Sequence, residues 1–378
     1  MKQFLPKRED YIIFILIFNS QYMSKRIGVA VVGLGSIGKT HVKALKDLEK
    51  ETEFVKLVAV VDQIKAIAEK IGSEYGTPYY TTIDEVLRNS EVDVISIATP
   101  SYLHAPQAIL AIEYGKHVIV EKPMATTLAG SREMVSRAER NEVKLGVIFQ
   151  ERYAPDIRRL KNDILKELGR IYLIESELKW YRDMKGYYKR DEIARSWRGM
   201  WNTEGGGVMT NQGIHTIDLM IWLNGEVEEV SGFVDNLTHD GIEVEDTAVA
   251  IMRYKNGALG TISQTVSMKP TTYQYRKIRV NGSNGFVEIT DGSLSTVAIE
   301  GKIEESKSSV EYKKETIAQP CNLHKELLRD FLRALSEDND FPINGKEGMK
   351  SLEVIKAVYL SSVNRQVVKL PLDVRIVV

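Results

Sequence analysis

Ile27-Gly-Val-Ala-Val-Val-Gly33-Leu-Gly35-Ser36-Ile37-Gly38-Lys-Thr-His41 is the stretch that decides the fold. Its first six residues, apolar and rich in Val, read as a buried strand. Gly33, Gly35 and Gly38 follow at the G-x-G-x-x-G spacing, and Thr40 to Leu48 continues in a helix-compatible pattern. In that strand–turn–helix setting the first Gly permits a tight turn, the second lets a pyrophosphate approach the backbone, and the third lets helix and strand pack closely. The amides opening the helix, around Ser36 and Ile37, then meet phosphate with a positive dipole end. Glycines in structural turns are common, but the flanking strand and helix favour a nucleotide site here.

The same alternation runs on to about residue 149. Phe54 to Val61 is a second apolar strand ending in Asp62. A carboxylate there accepts hydrogen bonds from an adenosine ribose and repels a 2′-phosphate, and no Arg follows directly, so NAD is expected over NADP. The competing reading is that Asp62 only caps a helix over residues 63–71. Strands at Asp93–Ala98, Lys116–Glu121 and Lys144–Phe149 alternate with helices at Ile83–Asn89, His104–Tyr114 and Leu128–Arg140. This predicts a doubly wound parallel sheet with helices on both faces. Ligands in such sheets bind at the carboxyl ends of strands. Those ends are Gly33–Gly38, Asp62, Thr99-Pro100, Glu121-Lys122-Pro123 and Gln150.

Beyond Gln150 the texture changes. A helix over Ala154–Leu168, a strand near Ile171–Trp180, an aromatic and basic loop over 180–201, and a helix over Val208–Leu223 precede a run of strands. These are Val230–Asn236, Thr247–Tyr254, Leu259–Val266, Ile278–Asn281, Phe286–Ile289 and Thr296–Ile299. Asn256-Gly257 and Asp291-Gly292 signal hairpins, so a large, mostly antiparallel sheet is expected. Helices near Leu323–Leu335 and Glu347–Val363 finish the chain. At 378 residues two domains are the default, with a nucleotide-binding domain over 23–149 and an α+β domain over 150–378.

Residues 1–22 stand apart. Tyr11 to Phe18 is an eight-residue apolar run, too short to span a bilayer, and Gln21-Tyr-Met offers no small-residue cleavage site. Met23 is expected to be the native start. A formal net charge of −1 gives no basic excess, arguing against nucleic acid and anionic membrane as main partners. The lone Cys321 excludes an intramolecular disulfide and a Cys-cluster metal site. A cytoplasmic protein is expected.

Two stretches carry chemistry. Lys122, between Glu121 and Pro123, falls where a cofactor's reactive ring would lie and can hold a hydroxyl and stabilise a developing alkoxide; taken alone, Lys-Pro after a strand is an ordinary turn. Glu204-Gly-Gly-Gly-Val-Met-Thr-Asn211-Gln-Gly-Ile-His215-Thr-Ile-Asp218 leads three glycines into a helix. The i, i+4, i+7 spacing stacks Asn211, His215 and Asp218 on one face of an otherwise apolar helix. His suits general-base work because its unperturbed pKa is close to neutral. A single His on such a helix could equally be a core residue. No zinc site is expected, because no HExxH or Cys pair completes a ligand set, and no G-x-S-x-G elbow supports a hydrolase. The aromatic loop over 180–201, with Trp180, Tyr181, Trp197 and Trp201, could be core, but its interleaving with Arg182, Arg190, Arg195 and Arg198 favours a polar pocket wall for a sugar or an anionic group.

Taken in order, Gly33-x-Gly35-x-x-Gly38-x-x-His41, Thr99-Pro-Ser-Tyr-Leu-His104, Gly115-Lys-His-Val-Ile-Val-Glu-Lys122-Pro, Gly205-Gly-Gly207, Gly213-Ile-His215-x-x-Asp218 and Trp222-Leu-x-Gly225 resemble the Gfo/Idh/MocA oxidoreductases, the group of glucose–fructose oxidoreductase and inositol dehydrogenase. The likeness runs from about residue 26 to the carboxyl end. It implies a Rossmann domain, and an α+β domain whose open sheet joins homodimers or homotetramers. It also implies hydride transfer between nicotinamide and a secondary hydroxyl of a sugar, polyol or sugar derivative, with Lys122 and His215 as the catalytic pair and Asn211 at the position of the third catalytic residue. Inositol-dehydrogenase-like members carry Asp four residues before the His, where this chain has Asn211; Asn211 and the Trp-Arg-Gly and Tyr-Tyr elements of the loop look similar to members acting on uronic or nucleotide-linked sugars. The cofactor is accordingly expected at Gly33, Gly35, Ser36, Ile37, Gly38, Asp62, Thr99, Pro100, His104, Glu121, Lys122 and Gln150. The substrate is expected at Arg152, Tyr181, Arg182, Trp197, Arg198, Asn211, His215 and Asp218. Alternatives from other classes are a glycosidase that holds NAD permanently and a non-catalytic NAD-binding regulator.

Overall fold

The structure, a computed structural model, describes residues 26–305 and 320–373; the expectation for residues 1–22 lies outside them. Strands β1 (Ile27–Val32), β2 (Val55–Val61), β3 (Tyr79–Tyr80), β4 (Val94–Ile97), β5 (His117–Val120) and β6 (Leu145–Val147) form one sheet in the order β3-β2-β1-β4-β5-β6. All neighbours are parallel. Helices α1 (Ser36–Glu51), α2 (Lys65–Tyr75), α3 (Ile83–Leu87), α4 (Ser101–Glu113) and α5 (Leu128–Arg140) make the crossovers. Every residue of β1 is buried, which is why that strand is continuously apolar: both sheet faces are covered. The order reverses between β1 and β4, and a crevice opens there at the carboxyl ends of the strands.

Two helices start earlier than their apolar pattern suggests. α1 begins at Ser36 and α4 at Ser101, because their polar first turns face the crevice rather than the core. The helix after Asp62 begins only at Lys65 and runs on to Tyr75.

The second sheet contains β7 (Ile171–Lys179), β8 (Val227–Asp235), β9 (Thr247–Tyr254), β10 (Leu259–Thr265), β11 (Tyr275–Gly282), β12 (Gly285–Thr290), β13 (Ser293–Ile299), β14 (Lys302–Glu305) and β15 (Val368–Lys369). Their order is β14-β13-β12-β11-β7-β10-β9-β8-β15. All pairs are antiparallel except β7 with β10. The two expected hairpins are present. Asp291 and Gly292 both take positive φ, 50° and 89°, as a two-residue primed turn requires.

One face of this sheet packs on helices and the other stays open, leaving Phe233, Val249 and Ile251 exposed. Phe233 lies opposite Val249 across β8 and β9.

Neither mid-chain helix is a simple α-helix. Residues 155–167 pass from α to π and back. The functional helix has a π turn at Met209–Gly213 before α6 (Ile214–Asn224). The π turn lies where the helix is pressed against the sheet: a Cβ on Gly213 would come within 1.8 Å of the Gln264 Oε1. The last helices, α7 (Pro320–Ser336) and α8 (Gly345–Asn364), return to the first sheet. Lys325 of α7 pairs with Glu51 of α1 at 2.7 Å, and Gly348 of α8 lies directly against Val147 of β6.

Candidate active site

A cavity of about 660 Å³ lies along the carboxyl ends of the first sheet and is closed on its far side by the 182–215 region. At one end is the glycine loop, where the three glycines have three separate jobs. Gly33 has φ +89°, and a Cβ there would strike Ala98 and Thr99 at 2.8 Å. Gly38 faces the Gly33 carbonyl so closely that a Cβ would lie 1.8 Å from it. A Cβ on Gly35 would meet nothing within 4 Å, so this residue leaves open space in front of the helix. No side chain caps the first amides of α1, and they remain available to an anion.

Asp62 settles beside this loop. Its Oδ2 accepts from the Leu34 amide at 2.9 Å and its Oδ1 from Ile64 at 2.9 Å. It therefore ties the second strand to the glycine turn and does not cap α2, whose N-cap is Ile64. Each carboxylate oxygen keeps a lone pair for a ribose hydroxyl. These features fit an NAD adenosine and pyrophosphate: a dipole end for the phosphates, an unobstructed glycine, and a fixed carboxylate at the ribose position.

In the middle of the cavity, Glu121 and Lys122 leave β5 in opposite roles. Glu121 is buried, and its Oε1 accepts from His41 Nε2 at 3.1 Å and His324 Nε2 at 3.3 Å. Burial pushes its pKa up, but the hydrogen bonds from His324 and His41 outweigh this and hold it well below the usual carboxylate range. It thus remains an anion locked under Lys122. The Lys122 Nζ donates to the Asn211 backbone carbonyl at 2.7 Å. Burial lowers the pKa of Lys122, with Glu121 opposing and Arg198 assisting. His104 lies between two carbonyls, with Nδ1 2.8 Å from Pro123 O and Nε2 2.8 Å from Thr99 O. It ties the end of β4 to that of β5.

His215 of α6 lines the same cavity and is 7% exposed. Burial drives its pKa down to about 3, partly offset by Glu151, so the ring is neutral at neutral pH. Around Asn211 there is a polar network. Tyr187 Oη donates to Asn211 Oδ1 at 2.9 Å, Arg198 donates to Tyr187 at 2.7 Å, and Asn211 Nδ2 donates to Glu204. Burial raises the Glu204 pKa against the pull of Arg198 and the Gly199 amide. The Arg198 guanidinium lies 4.3 Å from the ring centres of both Tyr187 and Trp197.

The cavity collects most of the residues expected there. Gly33, Gly35, Ser36, Ile37 and Asp62 line one end, and Thr99, Pro100, His104, Glu121, Lys122 and Gln150 the middle. Arg182, Trp197, Arg198, Asn211 and His215 form the far wall. Four expected residues are elsewhere. Gly38 acts behind the loop, through packing. Tyr181 lies outside the lining, its ring beside Lys269 and His239.

Arg152 and Asp218 are corrections. They form a buried two-pronged ion pair, 2.8 and 2.6 Å, with Glu347 joining at 3.0 Å, and neither lines the cavity. The reason is electrostatic: two buried charges require a partner, and the Arg152 guanidinium, held also by Glu347, takes both oxygens of Asp218. Sequence reasoning missed Tyr187, Gln107, Glu204 and His324 as wall residues. Glu204, directly before the three glycines, and Tyr187, in the aromatic loop, were within reach of it. Nothing in the sequence singles out His324, which arrives from α7.

Comparison with known proteins identifies both halves of the chain. Residues 27–149 match the NAD-binding Rossmann fold of the GFO_IDH_MocA oxidoreductase family, and residues 161–370 match its C-terminal alpha/beta domain. The chain is 31% identical to the rhizopine catabolism protein MocA of Rhizobium meliloti, over 53% of this chain and 58% of that protein. It is 26% identical to myo-inositol 2-dehydrogenase of Thermotoga maritima, over 90% of this chain and 98% of the other. Among solved structures, the WlbA dehydrogenase of Bordetella pertussis in complex with NADH and UDP-GlcNAcA superposes with a TM-score of 0.79 at 28% identity, covering 92% of this chain and all of that one. No helix among the described residues is long and apolar enough to cross a membrane. With both halves matched in order, the chain belongs to the Gfo/Idh/MocA oxidoreductases and carries their NAD-binding Rossmann domain.

Proposed function

We propose that the protein is an NAD-dependent dehydrogenase that oxidises a secondary hydroxyl of a sugar bearing an anionic group, such as a uronic or nucleotide-linked sugar. The observation that carries this reading is the meeting of Lys122 and His215 in one cavity whose outer wall presents Arg182, Arg190 and Arg198. Bound NAD supplies the hydride acceptor. Lys122 holds the hydroxyl oxygen and stabilises the charge developing on it. His215, kept neutral by burial, takes the O–H proton. The carbon loses its hydrogen as hydride and becomes a carbonyl, so charge and electrons balance. Arg198, set by Tyr187 and Trp197, offers a planar two-donor fork to carboxylate or phosphate. The likeness to a dehydrogenase structure holding UDP-GlcNAcA supports an acidic nucleotide sugar in particular.

The test is NADH formation across aldoses, polyols, uronic acids and nucleotide sugars, with NAD and with NADP. Turnover of acidic sugars with NAD supports the reading. Turnover confined to neutral polyols would remove the anionic group from it. Cleavage of a glycosidic bond without net NADH would point to a glycosidase instead. We also propose 23–149 and 150–378 as the two domains, and association of copies through the open sheet face, where Phe233, Val249 and Ile251 are exposed. Light scattering of Ile251→Glu against the parent protein measures the latter.

A further inference from the structure

His215 has an unresolved need. Its Nδ1 is shut away from solvent with no hydrogen-bond partner, and a general base works only if the proton sits on the other nitrogen in the right tautomer. Asn211, four residues earlier on the same helix, is an amide and cannot supply a charge. Glu204, the acid nearest to Asn211, is already committed to Asn211, to the Gly199 amide at 2.5 Å and to Arg198.

A second carboxylate is available. Glu151 follows β6 in the short turn Gln150–Tyr153, and Arg152 of the same turn is bonded to Asp218, one helical turn beyond His215. Arg276 of β11 grips the Glu151 Oε1. The other oxygen, Oε2, is buried with no partner, like His215 Nδ1. One buried atom can donate if protonated and the other can only accept. The charged groups acting on His215 are Glu151, Lys122, Arg276 and Glu121, and Glu151 is the strongest of them, favouring a protonated ring.

We infer that Glu151 is a positioning residue for His215: its carboxylate, fixed by Arg276, holds the ring proton on Nδ1 through one bridging water that pairs the two otherwise unpartnered buried atoms, and leaves Nε2 as the base toward the cavity. The carboxylate then also balances the charge the ring gains on taking the substrate's proton. This rests on the dehydrogenase reading for its catalytic consequence but not for the tautomer itself.

The test is Glu151→Gln, with Glu151→Asp as the conservative variant, in the NAD-loaded full chain carrying 15N-histidine. Arg276 demands an acceptor, so Gln turns its oxygen to Arg276 and its NH2 toward His215, which must then accept at Nδ1. Ring 15N–1H correlation spectra at neutral pH, with His215 assigned through His215→Asn, should show the Nδ1–H form in the parent and in Glu151→Asp. Glu151→Gln should show the Nε2–H form. With UDP-N-acetylglucosaminuronic acid as probe, kcat should fall by about tenfold or more in Glu151→Gln with KM nearly unchanged, as for loss of a carboxylate behind a catalytic His. The same tautomer in parent and Glu151→Gln would overturn the inference. If the parent does not turn over this probe, the substrate reading falls, and the spectra still decide the role of Glu151.

Discussion

Lys122 Nζ donates to the backbone carbonyl of Asn211 at 2.7 Å, across 89 residues of sequence. This single bond joins the end of a strand in the NAD-binding sheet to the π turn that opens the helix of His215. It means that the amine is aimed before any substrate arrives. Lys122→Ala removes both the donor and that aim. Its kcat should fall by about 10²–10³-fold, the range for loss of one preorganised donor, while the NAD dissociation constant, followed by calorimetry, changes little.

Asp62 holds the glycine turn through Leu34 and faces the cavity with a carboxylate. Asp62→Asn keeps an acceptor for the Leu34 amide and removes the negative charge that repels a 2′-phosphate. The ratio of kcat/KM for NADP to that for NAD should rise by about tenfold or more, equivalent to ~1.4 kcal/mol. Steady-state kinetics with both cofactors measures it; an unchanged ratio would mean that Asp62 does not discriminate.

Burial lowers His215 to about 3 from an ordinary 6.5. Between those values the unfolded chain binds a proton that the folded chain refuses, so stability rises with pH. The contribution is complete above pH 6.5 and is lost as pH falls through that window, at up to about 1.4 kcal/mol per pH unit. Urea unfolding at pH 6.5 and 5.0 should show the parent losing about 1.6 kcal/mol more than His215→Gln over that interval. Equal losses would show that the ring is not held neutral.

The Rossmann half was legible because its signals are local. A buried parallel strand is continuously apolar, and Gly33, Gly35 and Gly38 each answer a steric demand within a few ångströms. Lys122 and His215 were legible too, since each lies at a point the topology singles out, a strand end and a glycine-preceded helix. Asp218 was misread because its place in a regular spacing says which part of the helix it occupies and not what packs there; Arg152 and Glu347 meet it from two other elements. His324 and Glu151 could not be found, because their importance comes from Glu121 and His215, more than 60 residues away in either case. The π turn at Met209–Gly213 has no compositional mark of its own; it arises where Gly213 meets Gln264.

The central claim is that His215 is the base of a sugar dehydrogenase. It is tested most directly by the turnover number of His215→Ala, at saturating NAD, on the acidic sugar that the parent oxidises best. That turnover number should fall by about 10²–10⁴-fold with NAD binding intact. Turnover equal to that of the parent would contradict it.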